Sequence, residues 1–326
     1  ELDRGMDPLG PFEEPSFGVK RFKQNLPTAE SAGVPDPPAA VPYAAGDIIQ
    51  SWPTALTLAW GVGYNTETSD LWLGDIGAAG GTDLNYRFLT DGTNTGDTID
   101  ISWAGVFAAD MTYNPHTGML WQVDVGGDDC IHELDPVNRI PTGNTICPSW
   151  GVSQRGLAYD PSTDTYFAGS WTDLMIYHFA ADGTMLDAVS VGLATAGLAY
   201  NPDTQHLFVM VNAAPNPVYV LDAADGYNIL GQFTLAGMSD YGGAGLEMGC
   251  DGNLWGVDQQ TQINYQFESG ETTSMCGRDV PWLSEDPISG TVPSMADVII
   301  DVTFDAAQVD QPGSHNAQLK VRHDTP

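Results

Sequence analysis

One motif recurs five times between residues 46 and 275, and it limits the chain to few folds. It is clearest in GLAYDPSTDTYFAGS (156–170) and GLAYNPDTQHLFVMV (197–211). Weaker copies are GVGYNTETSDLWLGD (61–75), DMTYNPHTGMLWQVD (110–124) and GLEMGCDGNLWGVD (245–258). Their anchors Tyr64, Tyr113, Tyr159, Tyr200 and Met248 stand 49, 46, 41 and 48 residues apart. A period in the forties with strand patterning is the signature of a propeller blade.

Each copy reads the same way physically. A short apolar strand ends at the anchor. Asn/Asp-Pro-x-Thr-x then makes a turn, because Pro presets φ and the Asn or Asp side chain caps the backbone. The second strand carries a large pair: Leu71-Trp72, Leu120-Trp121, Tyr166-Phe167, Leu207-Phe208 or Leu254-Trp255. A third strand ends at Phe88, Leu134, Phe179, Leu221 or Phe267, and a fourth follows a polar turn, as in ILGQFTL (229–235). The expectation is an all-β chain with a β-propeller of about five four-stranded blades over 46–276. GDIIQSWP (46–53) precedes the first full unit and is placed to supply the last blade's outer strand, which removes a free edge.

The four cysteines fall within single units. Cys130 and Cys147 flank the third and fourth strands of the second unit. Cys250 lies in the first hairpin of the fifth unit, and Cys276 follows that unit's last strand. The expected pairs are Cys130–Cys147 and Cys250–Cys276, which imply an oxidising compartment. A zinc site is not expected, since no Cys/His ligand spacing exists. No stretch reaches the ~18 apolar residues of a membrane span. The chain starts at Glu1 without Met, which reads as a processed N-terminus.

Charge divides the chain. Lys and Arg number 10 against 43 Asp and Glu, a net charge of −33, so nucleic acid is excluded as a partner. Four of the ten cations lie in the first 23 residues: Arg4, Lys20, Arg21 and Lys23. Residues 1–26 therefore read as a cation-rich N-terminal arm, with four cations beside five acids, and 27–45 as a Pro/Ala-rich linker, ahead of a strongly acidic body.

Residues 277–326 carry a different pattern. Trp282-Leu283-Ser284, Pro287-x-Ser289-Gly290-Thr291-Val292, VIIDVTFDA and Pro312-Gly313 before AQLKVRHD follow one another in order. This tail resembles the BACON-like immunoglobulin-like repeats of secreted bacterial surface proteins, and the resemblance covers 48 residues. It implies a small extracellular β-sandwich, a spacer or adhesion module without catalytic residues. The propeller is similar to those carried by multidomain secreted bacterial proteins. The residues agree with a half-buried strand: Val298, Ile300, Val302 and Phe304 alternate with polar neighbours, as do Leu319 and Val321. The final strand of such a module has no counterpart before Pro326, so either the sequence is cut there or another segment fills the place. The arm residues Phe17, Val19, Lys20, Arg21, Phe22 and Lys23 are candidates to fill that place from a neighbouring molecule. The acceptor would be Val298, Ile300, Val302, Phe304, Leu319 and Val321, and a head-to-tail contact of this kind builds a homopolymer.

Signs of chemistry are sparse. Turn aspartates (Asp124, Asp128, Asp129, Asp222 and Asp225) offer oxygen ligands for a structural Ca²⁺, yet no complete calcium loop is present. Asp110 and Glu247, on first strands, are the candidates for a glycosidase pair near the axis. The other propeller glutamates are Glu67, Glu133, Glu268 and Glu271. The six histidines (His116, His132, His178, His206, His315 and His323) have no ligand spacing and read as packing or surface residues. Trp103, Trp150, Trp171 and Tyr241, on loops, are candidates for a glycan-binding face, or else pack between blades. The sequence thus points to an extracellular or cell-surface structural or adhesion protein that assembles with itself. The alternatives are a glycan-binding propeller of a larger secreted protein, or a glycosidase or lyase.

Overall fold

The structure is a computed structural model and describes residues 44–77, 80–104, 107–150, 154–276, 282–287 and 299–306. Pro42–Cys276 is one compact unit, and the remaining described residues belong to a second. The first is a ring of five four-stranded antiparallel sheets. Strand β1 (Ile48–Pro53) precedes blade 1, which comprises β2 (Ala59–Asn65), β3 (Asp70–Asp75), β4 (Leu84–Leu89) and β5 (Asn94–Asp100). Blade 2 comprises β6 (Phe107–Asn114), β7 (Met119–Val125), β8 (Ile131–Asp135) and β9 (Ile140–Ile146). Blade 3 comprises β10 (Gln154–Asp160), β11 (Thr165–Ser170), β12 (Met175–Ala180) and β13 (Met185–Ser190). Blade 4 comprises β14 (Thr195–Asn201), β15 (His206–Val211), β16 (Pro217–Asp222) and β17 (Asn228–Thr234). Blade 5 comprises β18 (Gly243–Met248), β19 (Leu254–Asp258) and β20 (Ile263–Phe267), completed on its outside by β1.

That completion closes the ring as the sequence suggests. Ser51 pairs with Tyr265 and Pro53 with Ile263, antiparallel. The N-terminal strand therefore covers the edge of β20, and the last blade's sheet is built from both ends of the repeat region. Trp52 then crosses to blade 1, where its ring stacks on Phe88 at 5.1 Å and its Nε1 donates to the Thr90 carbonyl at 3.2 Å.

Local chemistry sets each first hairpin. Asn65 Oδ1 accepts the amides of Glu67 and Thr68, and Asn114 Oδ1 those of His116 and Thr117. Asp160 and Asn201 cap their turns likewise, on Ser162 and Asp203. The chain then enters the second strand, whose large pair fills the space between blades: Leu71, Trp72, Leu207, Phe208, Leu254 and Trp255 are all buried. Each such ring removes on the order of 150–250 Å² from water, which is the main cohesive contribution between blades.

The disulfides are Cys130–Cys147, with Cα atoms 4.3 Å apart, and Cys250–Cys276, at 5.3 Å. Two disulfides suit an oxidising compartment. Among the described residues, no helix is long and apolar enough to cross a membrane.

In the second unit, β21 (Leu283–Asp286) pairs antiparallel with β22 (Asp301–Phe304), and Trp282 stacks on Phe304 at 5.9 Å. Ile299 and Phe304 are exposed, and Ile300 and Val302 are half-buried. The proposed acceptor residues Val298, Leu319 and Val321, and all of the arm from Phe17 to Lys23, lie outside the described residues, as does the remainder of the expected sandwich.

Candidate functional site at the propeller axis

The first strands β2, β6, β10, β14 and β18 touch one another in a closed ring around the axis. Each is the inner edge of its blade, so alternate N–H groups face the axis with no ladder partner. Each also carries a register shift near its start, next to Val62, Met111, Gly156, Gly197 and Leu246. Buried N–H groups need acceptors. One residue supplies them. Asp110 Oδ1 accepts from Leu246 at 3.2 Å and Val62 at 3.5 Å, and Oδ2 from Leu198 at 2.9 Å and Leu157 at 3.3 Å. A carboxylate on blade 2 thereby ties the other four blades to itself.

The repeat explains why only one aspartate is present. Three residues before each anchor stand Gly61, Asp110, Gly156, Gly197 and Gly245. A Cβ on Gly197 would lie 2.5 Å from the Leu246 amide nitrogen, and one on Gly245 2.8 Å from that of Val62. Four glycines thus bring the strands together around the single side chain that the axis holds. Burial pushes the Asp110 carboxyl well above its ordinary range, and the four amides act in the opposite direction. Four donors converge on it, which favours the carboxylate form.

Asp110 is wholly buried, so it cannot meet a substrate. This removes it from the glycosidase pair suggested by the sequence. Glu247 is also nearly buried, and burial first and Asp110 second push its carboxyl well above the usual range. Its Oε1 accepts the Met248 amide at 3.0 Å, and Thr112 beside the carboxyl opposes the upward shift. Glu247 lines a cavity of about 20 Å³ with the repeat tyrosines Tyr64, Tyr113, Tyr159 and Tyr200. Such a volume holds roughly one water and no sugar. The remaining propeller glutamates serve the fold. Glu133 accepts from Thr142 and Asn144, and Glu271 from Thr204 and Asn201 beside His206. Glu268 accepts the Gly270 amide, and Glu67 is exposed on its turn.

The opposite end of the ring gathers the loops that enter the first strands and those that join second strands to third. Here Trp103 stacks on His132 at 3.8 Å, and Trp150 on Tyr177 at 4.3 Å. Tyr241 is exposed, whereas Trp171 is half-buried. Three of the four loop aromatics therefore pack against a ring or cation of the blade they border. Trp171 packs on Arg155, whose Cζ lies 4.5 Å from its ring centroid, 5.6 Å from that of Trp60 and 5.8 Å from that of Phe107. This cluster was not legible in the sequence. Its four residues come from three blades, and the repeat position shared by Trp60 and Arg155 does not by itself bring Phe107 and Trp171 to them.

Asp124, Asp128 and His132 also meet at this end, with ligand atoms within 4.8 Å of one another. Two carboxylates and an imidazole suit a transition metal better than Ca²⁺, which prefers oxygen throughout. The three groups already satisfy each other and the backbone. Asp124 Oδ2 accepts the Asp128 amide, and Asp128 Oδ1 meets His132 Nε2 and the Cys130 amide at 3.0 Å. Asp129 lies apart, accepting from Gly126. Asp222 and Asp225 hold the turn at Ala224 and Asn228. Of the other histidines, His116 bonds Tyr159, His178 bonds Thr165 and His206 bonds Glu271, while His315 and His323 lie outside the described residues.

The sheet order defines the class of protein: a five-bladed β-propeller closed by an N-terminal strand. No protein-family model matches the chain, and no curated protein does. Among solved structures, it is similar to a chain in the crystal structure of a nidogen/laminin complex. The identity is 16% over 65% of this chain and 76% of that one, with a TM-score of 0.46. It is also similar to Kuenenia stuttgartiensis hydrazine synthase, at 12% identity over 64% of this chain and 58% of that one, with a TM-score of 0.42.

Proposed function

We propose that the chain is an extracellular, non-catalytic adhesion protein whose propeller binds a glycan on the face that carries Arg155 and Trp171. The observation that carries this reading is the use made of the axial carboxylates. Asp110 is consumed by four backbone amides, and Glu247 looks into a space too small for a sugar. The aromatic face at the other end is the part of the ring with side chains suited to flat apolar ligands. The two disulfides support an extracellular setting. Glycan-array binding by the full chain tests the reading. Retained glycans, lost on Trp171→Ala, are the expected result; an array without signal, or glycosidase turnover abolished by Glu247→Gln, overturns it.

Head-to-tail polymerisation is a second reading, favoured by the exposed Ile299 and Phe304 on and beside β22. On this reading the arm around Phe17–Lys23 adds a strand to the neighbour's C-terminal module. Electron microscopy of the full chain should then show fibres that vanish on deletion of residues 1–26. Fibres that persist without the arm would sink this mechanism.

A further inference from the structure

Arg155 is anomalous in its electrostatics. The chain has 43 carboxylate side chains for 10 cations, so cations should be paired. Two arginines of the ring are. Arg87 is held by Asp70 and, at 3.1 Å, by Asp97, which also holds Arg139. Arg155 has no carboxylate within ion-pair reach among the described residues. It is half-buried, and burial pulls its guanidinium below its ordinary value without discharging it. Holding a partly desolvated, unpaired charge is unfavourable for folding alone.

Its surroundings are built rather than incidental. One residue before the axial position of each repeat stand Trp60, Ala109, Arg155, Ala196 and Ala244. Three blades place alanine there and two place large side chains, which meet. Trp60 is almost fully buried and rests against Phe107 at 5.3 Å, with an indole N–H that has no partner. Trp171 and Phe107, whose rings flank the guanidinium, are only half-buried. The result is a cation among three aromatic rings, with its planar N–H fork unused.

We propose that this cluster is the specificity pocket of the glycan site and that it takes a sugar bearing a carboxylate, such as a uronic acid. The inference rests on the glycan-binding reading above and deepens it. A planar carboxylate matches the guanidinium fork in a bidentate pair. A single cation in so acidic a chain suits a singly charged group better than a phosphate or sulfate cluster, which would need several cations. The half-buried rings of Trp171 and Phe107 would supply the flat apolar surface for a pyranose ring.

The test is calorimetric titration of the full chain with a uronate oligosaccharide and with its methyl ester. The free acid should bind about tenfold tighter or more, the scale of one charge-assisted pair. Arg155→Met keeps the packing and should erase that preference, while Arg155→Lys should retain only part of it because the fork is lost. Equal binding of acid and ester by the wild type overturns the inference and leaves the glycan reading standing. Binding of neither, with no array signal, removes both. An acidic peptide that binds as tightly as the uronate overturns the assignment to a sugar. The ester comparison needs no variant, so the inference stays testable if Arg155→Met fails to fold.

Discussion

Asp110 on blade 2 accepts the backbone amide of Leu198 on blade 4 at 2.9 Å, across the axis of the ring. With the amides of Val62, Leu157 and Leu246 it makes one carboxylate the shared acceptor of every other blade. Five inner edges arriving at one axis leave inward amides, and a single side chain answers four of them.

Substitution of Asp110 should therefore destabilise the whole ring rather than one blade. Asp110→Ala strands four buried donors, each costing about 1–3 kcal/mol when unmet, so a loss on the order of 4 kcal/mol or more is expected. Asp110→Asn keeps the shape but turns one acceptor into a donor that faces two amides, and should cost somewhat less. Urea unfolding followed by tryptophan fluorescence measures both. A change within 0.5 kcal/mol for the alanine variant would show that the axial bonds are not cohesive.

A different pH signature is expected from Glu247. Burial and the Asp110 charge raise its carboxyl in the folded state. The folded chain then holds a proton that the unfolded chain has released, so stability falls as pH rises from about 4.3, the unfolded value, through the folded one. Glu247→Gln removes this loss. The variant should match the wild type near pH 4 and exceed it by on the order of 1 kcal/mol above neutrality. Denaturation curves at several pH values decide the matter, and a gap that does not widen with pH contradicts the assigned direction.

The parts of this molecule that were legible in the sequence are those written locally and repeated. The Asn/Asp-capped turns, the large second-strand pairs, the latch at 46–53 and the two cysteine pairs each depend on neighbours within one unit. Asp110 was visible as a carboxylate on a first strand, yet its partners are amides 47, 48, 88 and 136 residues away, and amides carry no sequence signal. A first-strand carboxylate is compatible with the glycosidase alternative until the ring of amides around it is seen. Trp103, Trp150 and Trp171 sit on loops, where the sequence leaves a glycan face and packing between blades equally open. They are packed because His132, Tyr177 and Arg155 arrive beneath them from other elements. Arg155 carries no local sequence signal, and its lack of a carboxylate among the described residues stands out only beside the paired Arg87 and Arg139.

The disulfides should stabilise by restricting the unfolded chain. Cys130–Cys147 spans 17 residues and Cys250–Cys276 spans 26, so each should contribute about 3 kcal/mol, the longer loop slightly more. Replacing Cys250 and Cys276 by serine should lower the thermal midpoint at least as far as replacing the other pair. It should also loosen residues 269–276, which lock blade 4 through Glu271 to His206 and through Ser274 to Asp203. Calorimetry with hydrogen exchange reads both effects. If both serine pairs unfold like the wild type under oxidising conditions, the bridges are not stability elements.

Closure of the ring depends most on Trp52. Its backbone sits in the latch strand opposite Asn264, while its ring lies on Phe88 of blade 1 and its Nε1 reaches Thr90. The side chain therefore joins the seam between the first and last blades at the point where the β1–β20 ladder closes the ring. Trp52→Ala should cost about 3–5 kcal/mol, the range for losing a buried large aromatic. Trp52→Phe keeps the stack and loses one hydrogen bond, so about 1 kcal/mol is expected. The location of the damage separates a latch from an ordinary core residue. Amide exchange should rise first in β1 and in β20 from Asn264 to Phe267, with β10 to β16 protected until global unfolding. Uniform exchange across all five blades would mean that the ring opens cooperatively and that Trp52 is one core residue among many.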